Sequence, residues 1–246
     1  MANTVKLTIN GREITAEEGT TILHAARECN INIPTLCENE AVTPYGACRL
    51  CLVEITTARG RERMVTSCIY LVEEGLKVET NTERIQKIRK VLLELLLARC
   101  PESEVIQDMA KKAGVSKTRF AKQTGNNKCI LCANCSRTCE EVVGVSAISL
   151  AKRGVERELT TPFKEDFSEV CIGCGSCAYS CPTDAITLED TGSTRTINWP
   201  HNKMEFKLKA CSACGSYWVP EKQLEYIAET SGTPLSDYDA CPDCRD

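Results

Sequence analysis

The chain has 246 residues, enough for about two domains, and small modules held together by cofactors can raise that number. It carries 30 Lys and Arg against 34 Asp and Glu, a net charge of −4, so it lacks the basic footprint of a nucleic-acid-binding protein. Only 5% of the residues are aromatic, which argues against a large aromatic core.

The 18 cysteines pose a choice between disulfides and metal sites. Most of them recur in C-x2-C units, and residues 1–10 contain no apolar stretch that would direct export. The longest apolar run, residues 91–97, is interrupted by Glu94 and is far too short to cross a bilayer. We therefore expect thiolate metal sites in a soluble cytoplasmic protein without direct membrane insertion.

The N-terminal stretch is predicted to start with a β-hairpin. Apolar and polar residues alternate over residues 5–9 and lead into Asn10-Gly11, the strongest short hairpin signal. A return strand over residues 13–15 precedes a helix over residues 22–30, with a threonine as its N-cap.

Four cysteines then follow with the spacing C-x10-C-x2-C-x16-C: Cys37, Cys48, Cys51 and Cys68. Gly46 precedes the central pair, where a residue without Cβ lets the backbone approach inorganic sulfide closely. The four thiolates suit a 2Fe–2S cluster, with zinc as the alternative for this long spacing. Residues 1–80 are predicted to be a β-grasp 2Fe–2S domain of the plant-ferredoxin kind, in which Cys29 is a small buried hydrophobe rather than a ligand.

Residues 81–125 are predicted to be a helical linker region. Apolar residues recur at helical spacing over residues 85–96 and predict an amphipathic helix that ends near residue 98. A second helix is expected over residues 105–113, and Cys100, between the two, is expected to be buried or incidental.

Two matched cysteine quartets occupy the predicted third domain, residues 126–192. Both have the spacing C-x2-C-x2-C-x3-C, and they are offset by 42 residues. This is the thiolate pattern of a two-cluster bacterial ferredoxin, in which each 4Fe–4S cluster takes three cysteines from one quartet and the fourth from the other. The predicted ligands of one cluster are Cys129, Cys132, Cys135 and Cys181. Those of the second cluster are Cys171, Cys174, Cys177 and Cys139.

The C-terminal tail, residues 193–246, is predicted to hold one more metal site. Two C-x2-C knuckles lie 26 residues apart, with a helix expected near residues 224–230: they are Cys211 with Cys214, and Cys241 with Cys244. Structural zinc is favoured, because four-cysteine knuckle sites most often bind it. Mononuclear iron of the rubredoxin kind or a further iron–sulfur cluster is the alternative.

Residues 1–190 resemble three related iron–sulfur proteins. The resemblance rests on the segments PTLC at 34–37, GACRLCLVE at 46–54, CILC at 129–132 and CEE at 139–141. These segments are similar to those of the N-terminal region of the NADH-oxidising large iron–sulfur subunit of complex I. They are equally similar to those of the small diaphorase subunit of NAD-reducing nickel–iron hydrogenases and of the iron–sulfur subunits of electron-bifurcating hydrogenases.

The resemblance implies an electron relay between partner subunits. In the related complexes, flavin and NAD(H) are bound by a neighbouring subunit, and a hydrogenase or other catalytic subunit holds the catalytic centre. Most relatives also have a histidine and three cysteines after the long helix, which hold another 4Fe–4S cluster. Residues 98–125 have one cysteine and no histidine, so we expect that cluster to be absent.

No catalytic residues are predicted, because there is no G-x-G-x-x-G after a strand and no Walker loop. The predicted protein is an α+β electron-transfer subunit with one 2Fe–2S cluster, two 4Fe–4S clusters and zinc. It would serve a multi-subunit NAD(P)-linked hydrogenase, which could be of the electron-bifurcating kind. Soluble ferredoxin would then be a further partner. The alternatives are the same role in an NAD-dependent formate dehydrogenase, or a free-standing ferredoxin-like carrier.

Overall fold

The computed structural model describes residues 3–124, 128–161 and 167–245, and the chain divides into two compact units, residues 1–132 and 133–246. Each unit combines helices with a β-sheet. The boundary expected at residues 125 and 126 lies outside the described residues.

The first unit begins with the predicted hairpin. Strands β1 (Thr4–Ile9) and β2 (Arg12–Glu17) pair antiparallel around Asn10 and Gly11, both of which have positive φ. This turn matches the type favoured by the right-handed twist of the strands. Helix α1 (Ile22–Glu28) follows, and the side chain of its N-cap Thr21 accepts the backbone N–H of His24 at 3.3 Å.

A five-stranded sheet forms the core of this unit. Strands β3 (Leu52–Thr56), β4 (Glu62–Thr66) and β5 (Lys77–Glu79) complete it in the order β2-β1-β5-β3-β4, with β1 and β5 parallel. Alternate strand residues face α1, and the side chains buried between sheet and helix include Leu7, Ile9, Ile22, Leu23, Val53 and Ile55. One helix packed across a mixed sheet is the arrangement expected for the predicted β-grasp module.

Two helices then pack against the cysteine loop of the same unit. Helix α2 (Glu83–Arg99) is capped by Thr82 and helix α3 (Glu104–Lys112) by Ser103, close to the predicted bounds. Their apolar sides form a second core with the loop, which contains Leu36, Cys37, Cys48, Leu50, Leu93, Cys100, Ile106 and Ala110. Arg89 of α2 also donates hydrogen bonds to the carbonyls of Leu50 and Leu52, each at 2.9 Å. The helical segment therefore holds the loop in place.

The second unit begins with short elements around the cysteine quartets. Its first turn of helix, α4 (Asn134–Arg137), continues into a π-helix (Thr138–Val142). A small hairpin follows, made of β6 (Ser149–Ala151), a 3-10 turn (Gly154–Glu156) and β7 (Glu158–Thr160). Two more short helices complete this part, α5 (Phe167–Val170) and α6 (Ser176–Tyr179).

A four-stranded antiparallel sheet runs from the second quartet into the tail. Its strands, in the spatial order β11-β10-β9-β8, are β8 (Thr187–Thr191), β9 (Thr194–Trp199), β10 (Asn202–Ala210) and β11 (Tyr217–Pro220). Gly192 lies in the turn between β8 and β9, so the sheet continues across residue 193. Helix α7 (Glu221–Ser231) and two 3-10 turns (Leu235–Tyr238 and Pro242–Cys244) complete the chain.

None of the helices in the described part of the chain combines the length and the apolarity needed to span a bilayer.

Candidate iron–sulfur and metal centres

The four cysteines of the first unit come together as two pairs of sulfur atoms. The Sγ atoms of Cys37 and Cys48 lie 3.4 Å apart, and those of Cys51 and Cys68 lie 3.3 Å apart. All four side chains are buried. The loop thus brings together the four residues that the sequence predicts as 2Fe–2S ligands.

Each pair contains one thiol that ionises easily. A hydrogen bond from Cys37 lowers the pKa of Cys48 to about 6, and one with Cys68 lowers the pKa of Cys51 to about 7. The pKa values of Cys37 and Cys68 are correspondingly raised, chiefly by the same hydrogen bonds. Since the thiolate is the form that binds metal, each pair is prepared to exchange a shared proton for a metal ion.

The spacing of the two pairs fits two metal ions better than one. Sulfurs bound about 2.3 Å from one tetrahedral ion lie about 3.8 Å from one another. The described cysteines include one group of four whose sulfurs all lie within 4.8 Å, but that group is in the tail, not in this loop. A 2Fe–2S cluster is bound by two pairs of sulfurs, close within each pair and further apart between the pairs. This arrangement argues against the zinc alternative.

The loop around these sulfurs depends on left-handed backbone. Gly46 has a φ of 68°, and a Cβ at this position would lie 2.6 Å from Cδ1 of Ile69. Arg49, between Cys48 and Cys51, also has a positive φ, of 60°. The positive φ therefore favours glycine here, whereas the terminal methyl of the exposed Ile69 could move aside for a Cβ.

A second group of four cysteines surrounds a cavity in the second unit. The sulfur-bearing residues that line it are Cys139, Cys171, Cys174 and Cys177. Apolar side chains form the rest of the wall, among them Ile148, Ile197 and Trp199. Four thiols around an apolar, largely enclosed space form a suitable donor set for a 4Fe–4S cluster, and Cys139 is the fourth ligand that the crossed pattern predicts.

Burial controls the protonation of these thiols. Desolvation, with a smaller contribution from neighbouring cysteines, raises the pKa of Cys171 to about 11 and that of Cys177 to about 12. Desolvation also raises the pKa of Cys139, although Cys139 accepts the backbone N–H of Ala147 at 3.2 Å. Thiolates packed this closely repel one another without a cation between them, so a metal cluster would stabilise the charged form.

One wall of this cavity comes from beyond the second quartet. Ile197 and Trp199 lie on β9, and Phe206 of β10 packs over Gly173 in the cysteine loop. All three side chains are buried. The sequence pattern assigns these three residues to a separate tail. The signal that could have placed them in the cluster-binding domain is the alternation of apolar residues along residues 195–208.

We expect Gly173→Ala to reduce incorporation of the 4Fe–4S cluster. Gly173 has a φ of 73°, and an added Cβ would lie 2.6 Å from the ring of Phe206. Left-handed backbone alone costs a non-glycine residue about 1 kcal/mol, and the clash adds to that cost. Gly192→Ala is the matched control, since its φ is also positive but no atom lies within 4 Å of the added Cβ. Iron analysis and visible absorption should fall for Gly173→Ala alone; equal losses in both variants would contradict this account.

The remaining quartet is divided between the two units. Cys129 and Cys132 belong to the first, where Cys129 accepts the backbone N–H of Leu131 at 3.4 Å. Cys135 and Cys181 belong to the second, where both join its apolar core and Cys181 accepts the N–H of Ala185 at 3.2 Å. Their assembly around one 4Fe–4S cluster stays a prediction.

The tail cysteines form a compact site for a single ion. The sulfurs of Cys211, Cys214, Cys241 and Cys244 all lie within 4.8 Å of one another. Cys214 and Cys241 are separated by 3.9 Å between sulfurs, close to the spacing expected around one tetrahedral ion. Backbone N–H groups point at Cys211 from both knuckles, from Cys214 at 3.5 Å and from Cys241 at 3.2 Å.

These hydrogen bonds favour thiolate at the centre of the tail site. The N–H groups of Cys214 and Cys241 lower the pKa of Cys211 to about 6. A hydrogen bond with Cys241 raises the pKa of Cys244 to about 12, so that thiol keeps its proton until a metal displaces it. Four mutually close thiols with backbone support fit a structural metal ion.

Two cysteines were expected to lie outside these sites. Cys100 is fully buried in the core formed by α2, α3 and the cysteine loop. Cys29 was expected to be buried but is only half-buried, because it lies at the C-cap of α1 and packs against the edge of the first core. All 18 cysteines lie in the described part of the chain, and none forms a disulfide.

Comparison with known domain families identifies both kinds of iron–sulfur module. A model described as a 2Fe–2S iron–sulfur cluster binding domain matches residues 2–83. A model described as a 4Fe–4S binding domain matches residues 166–187. The prediction of both cluster types is confirmed at this level.

Several proteins are similar in sequence to this chain over most of its length. It is 34% identical over 205 residues to NADPH-Fe(3+) oxidoreductase subunit alpha of Geobacter sulfurreducens, a match that covers 74% of this chain and 24% of the relative. It is 33% identical over 208 residues to an NADH-quinone oxidoreductase subunit of Rhizobium meliloti, with the same two coverages. It is 30% identical over 209 residues to NADP-reducing hydrogenase subunit HndD of Solidesulfovibrio fructosivorans, a match that covers 73% of this chain and 35% of the relative. The chain thus matches only about a quarter to a third of the length of these relatives.

A solved structure shares the fold. The crystal structure of an NAD+-reducing NiFe-hydrogenase in the H2-reduced state contains a chain with a TM-score of 0.63 and 26% identity to this one. The match covers 73% of this chain and 85% of the hydrogenase chain. The chain therefore carries a 2Fe–2S binding domain and a 4Fe–4S binding domain, and it is similar to subunits of NAD(P)-linked oxidoreductases and hydrogenases.

Proposed function

We propose that this protein relays electrons within an NAD(P)-linked oxidoreductase complex, between a subunit that binds flavin and NAD(H) and a hydrogenase or other catalytic subunit. The observation that carries the proposal is the match to the NAD+-reducing hydrogenase chain, which covers 85% of that chain. The clustered thiols of the first cysteine loop and of the cavity in the second unit support it, since each group is a donor set for a redox centre. Soluble ferredoxin is a third partner in an electron-bifurcating form of the complex. The abundance of thiols that form no disulfide favours the reducing cytoplasm as its compartment.

The proposed cofactors are one 2Fe–2S cluster, two 4Fe–4S clusters and one zinc ion. The 2Fe–2S ligands are the paired cysteines of the first unit, and the 4Fe–4S ligands are the two crossed quartets. Zinc is proposed for the tail because its four sulfurs lie within 4.8 Å of one another, close enough to bind one ion, and a redox-inert ion would have a structural role. Anaerobically purified protein should contain about ten irons and one zinc per chain.

Co-purification tests the role itself. The tagged protein, isolated anaerobically from its own cells, should bring with it a flavoprotein that oxidises NADH or NADPH and a catalytic subunit. Addition of NADH or NADPH to this complex should bleach the visible absorption of the clusters. Recovery of the chain alone, with clusters that remain oxidised when the purified flavoprotein and NAD(P)H are supplied, would contradict the proposal and favour a free-standing carrier. A partner that oxidises formate rather than hydrogen would assign the same role to a formate dehydrogenase.

A further inference from the structure

A cavity of about 690 Å³ lies beside the cysteine loop of the first unit. One side is formed by the chain after α1 and by Leu50 of the cysteine loop, and the other by single faces of α2 and α3. Its size lies within the range of about 300–1,000 Å³ that is usual for small-molecule sites. None of the proposed cluster ligands lines it, so the electron relay does not account for it.

The charge of this cavity differs from that of the whole chain. Arg89, Lys90 and Lys112 line it, and its described lining includes no aspartate or glutamate, although the chain has a net charge of −4. Lys87, on another face of α2, is bridged to Glu83 at 2.6 Å. Among the described residues, neither cavity lysine has a carboxylate partner of this kind. The cavity is therefore a local region of positive potential.

Arg89 adds a partly buried positive charge that forms no ion pair with a carboxylate in the described part of the chain. Its guanidinium donates to the carbonyls of Leu50 and Leu52, which are neutral acceptors, whereas Arg27, which also lines the cavity, is paired with Glu38. Burial lowers the pKa of Arg89, and the negative charge of the nearby Cys51 opposes this effect only in part. An anion bound in the cavity would offset the cost of this burial, because it would supply the opposite charge in a partly desolvated site.

The rest of the lining suits a planar organic group. Leu50 contributes apolar surface from the loop side, and Leu93 and Met109 contribute it from the two helices. The thioether of Met109 can also make favourable contacts with an aromatic ring. The exposed amide side chains of Asn32 and Asn81 lie at the same cavity, and each offers both donors and an acceptor. Such amides can pair with the polar edge of a heteroaromatic base.

We propose that this cavity binds a nucleotide, with its phosphates against Arg89, Lys90 and Lys112 and its base against the apolar side chains. The concave shape of the cavity favours a small molecule over a flat protein surface. The combination of cations, amides and apolar area favours a nucleotide over a simple anion. The site is separate from the electron relay, so either can be correct without the other.

Titration calorimetry with ADP on the full-length, cluster-loaded protein tests this proposal. ADP should bind saturably at low salt and more weakly as salt is added, since exposed charges are screened. Adenosine and inorganic phosphate should each bind about tenfold more weakly or worse, because each fills only part of the site. The double variant Lys90→Ala and Lys112→Ala should weaken ADP binding by about tenfold or more, a loss of about 1.4 kcal/mol.

The control variant is Lys87→Ala with Lys111→Ala. It removes the same charge from the same two helices, but neither residue lines the cavity. All four lysines are exposed, so both variants should fold. Absence of saturable ADP binding at millimolar concentration would overturn the proposal, as would equal weakening in the two double variants. Binding of a poly-aspartate peptide instead of ADP, with the same dependence on Lys90 and Lys112, would also overturn it and assign the cavity to an acidic protein segment.

Discussion

Replacement of Cys211 by serine is expected to release the tail metal and to shorten the lifetime of the 4Fe–4S cluster in the second unit. Cys211 directly follows β10, the strand that places Met204 and Phe206 in the core around the cluster cavity. Binding of a structural zinc ion supplies about 10–16 kcal/mol in small zinc-folded peptides. Loss of the ion should therefore loosen the segment after β10. It should also weaken the contacts of β11 and α7 that support this strand.

The measurement is metal analysis of the full-length protein together with the rate at which its visible absorption bleaches in air. Cys211→Ser should lose about one zinc per chain and bleach its 4Fe–4S absorption several-fold faster, because a looser wall admits oxygen and water. The 2Fe–2S signal, from the first unit, should not change. Ser212→Ala is the matched control, as Ser212 is exposed and its backbone N–H bonds to Asp239 without involving the side chain.

Two results would contradict this expectation. An unchanged bleaching rate after zinc loss would mean that the sheet holds the cavity wall without the metal. Loss of iron instead of zinc, with loss of an absorption band, would mean that the tail site is a redox centre. The full chain is needed for this experiment, because the strands that precede Cys211 pack against the cysteine loop rather than forming a separate body.

Replacement of Cys139 by serine is expected to remove the cluster of the second quartet, although Cys139 belongs to the first quartet in sequence. Cys139 lines the same cavity as Cys171, Cys174 and Cys177, and its charge is one of those that raise the pKa of Cys171. A cubane without its fourth thiolate is usually lost or degraded, so the variant should lose about four irons.

Electron paramagnetic resonance of the reduced protein distinguishes the two 4Fe–4S clusters. Cys139→Ser should lack the same spectral component as Cys171→Ser, and Cys181→Ser should lack the other one, together with Cys129→Ser. Cys29→Ser is the control, since Cys29 is half-buried at the end of α1 and no cluster is assigned to it. If Cys139→Ser and Cys129→Ser lacked the same component, the crossed assignment would be wrong.

The sequence alone was sufficient to predict several local elements and the two types of iron–sulfur domain. The Asn10-Gly11 turn, helix α1 and the helices α2 and α3 agree with their predicted positions, because hairpin turns, caps and apolar periodicity act over a few residues. The two iron–sulfur domain types were predictable for a similar reason. Three thiolates of a cluster come from one short turn, so the spacing of the cysteines carries the chemistry.

Only the tertiary structure decided which side chains distant in sequence line the two cavities. The sheet that crosses residue 193 places Trp199 and Phe206 against the Cys171 loop, and no spacing rule connects these residues. Likewise, Arg89, Lys90 and Lys112 meet at one cavity only because α2 and α3 pack side by side over the first cysteine loop. Such contacts depend on how whole elements pack against one another over long sequence separations, and patterns of a few residues do not specify that packing.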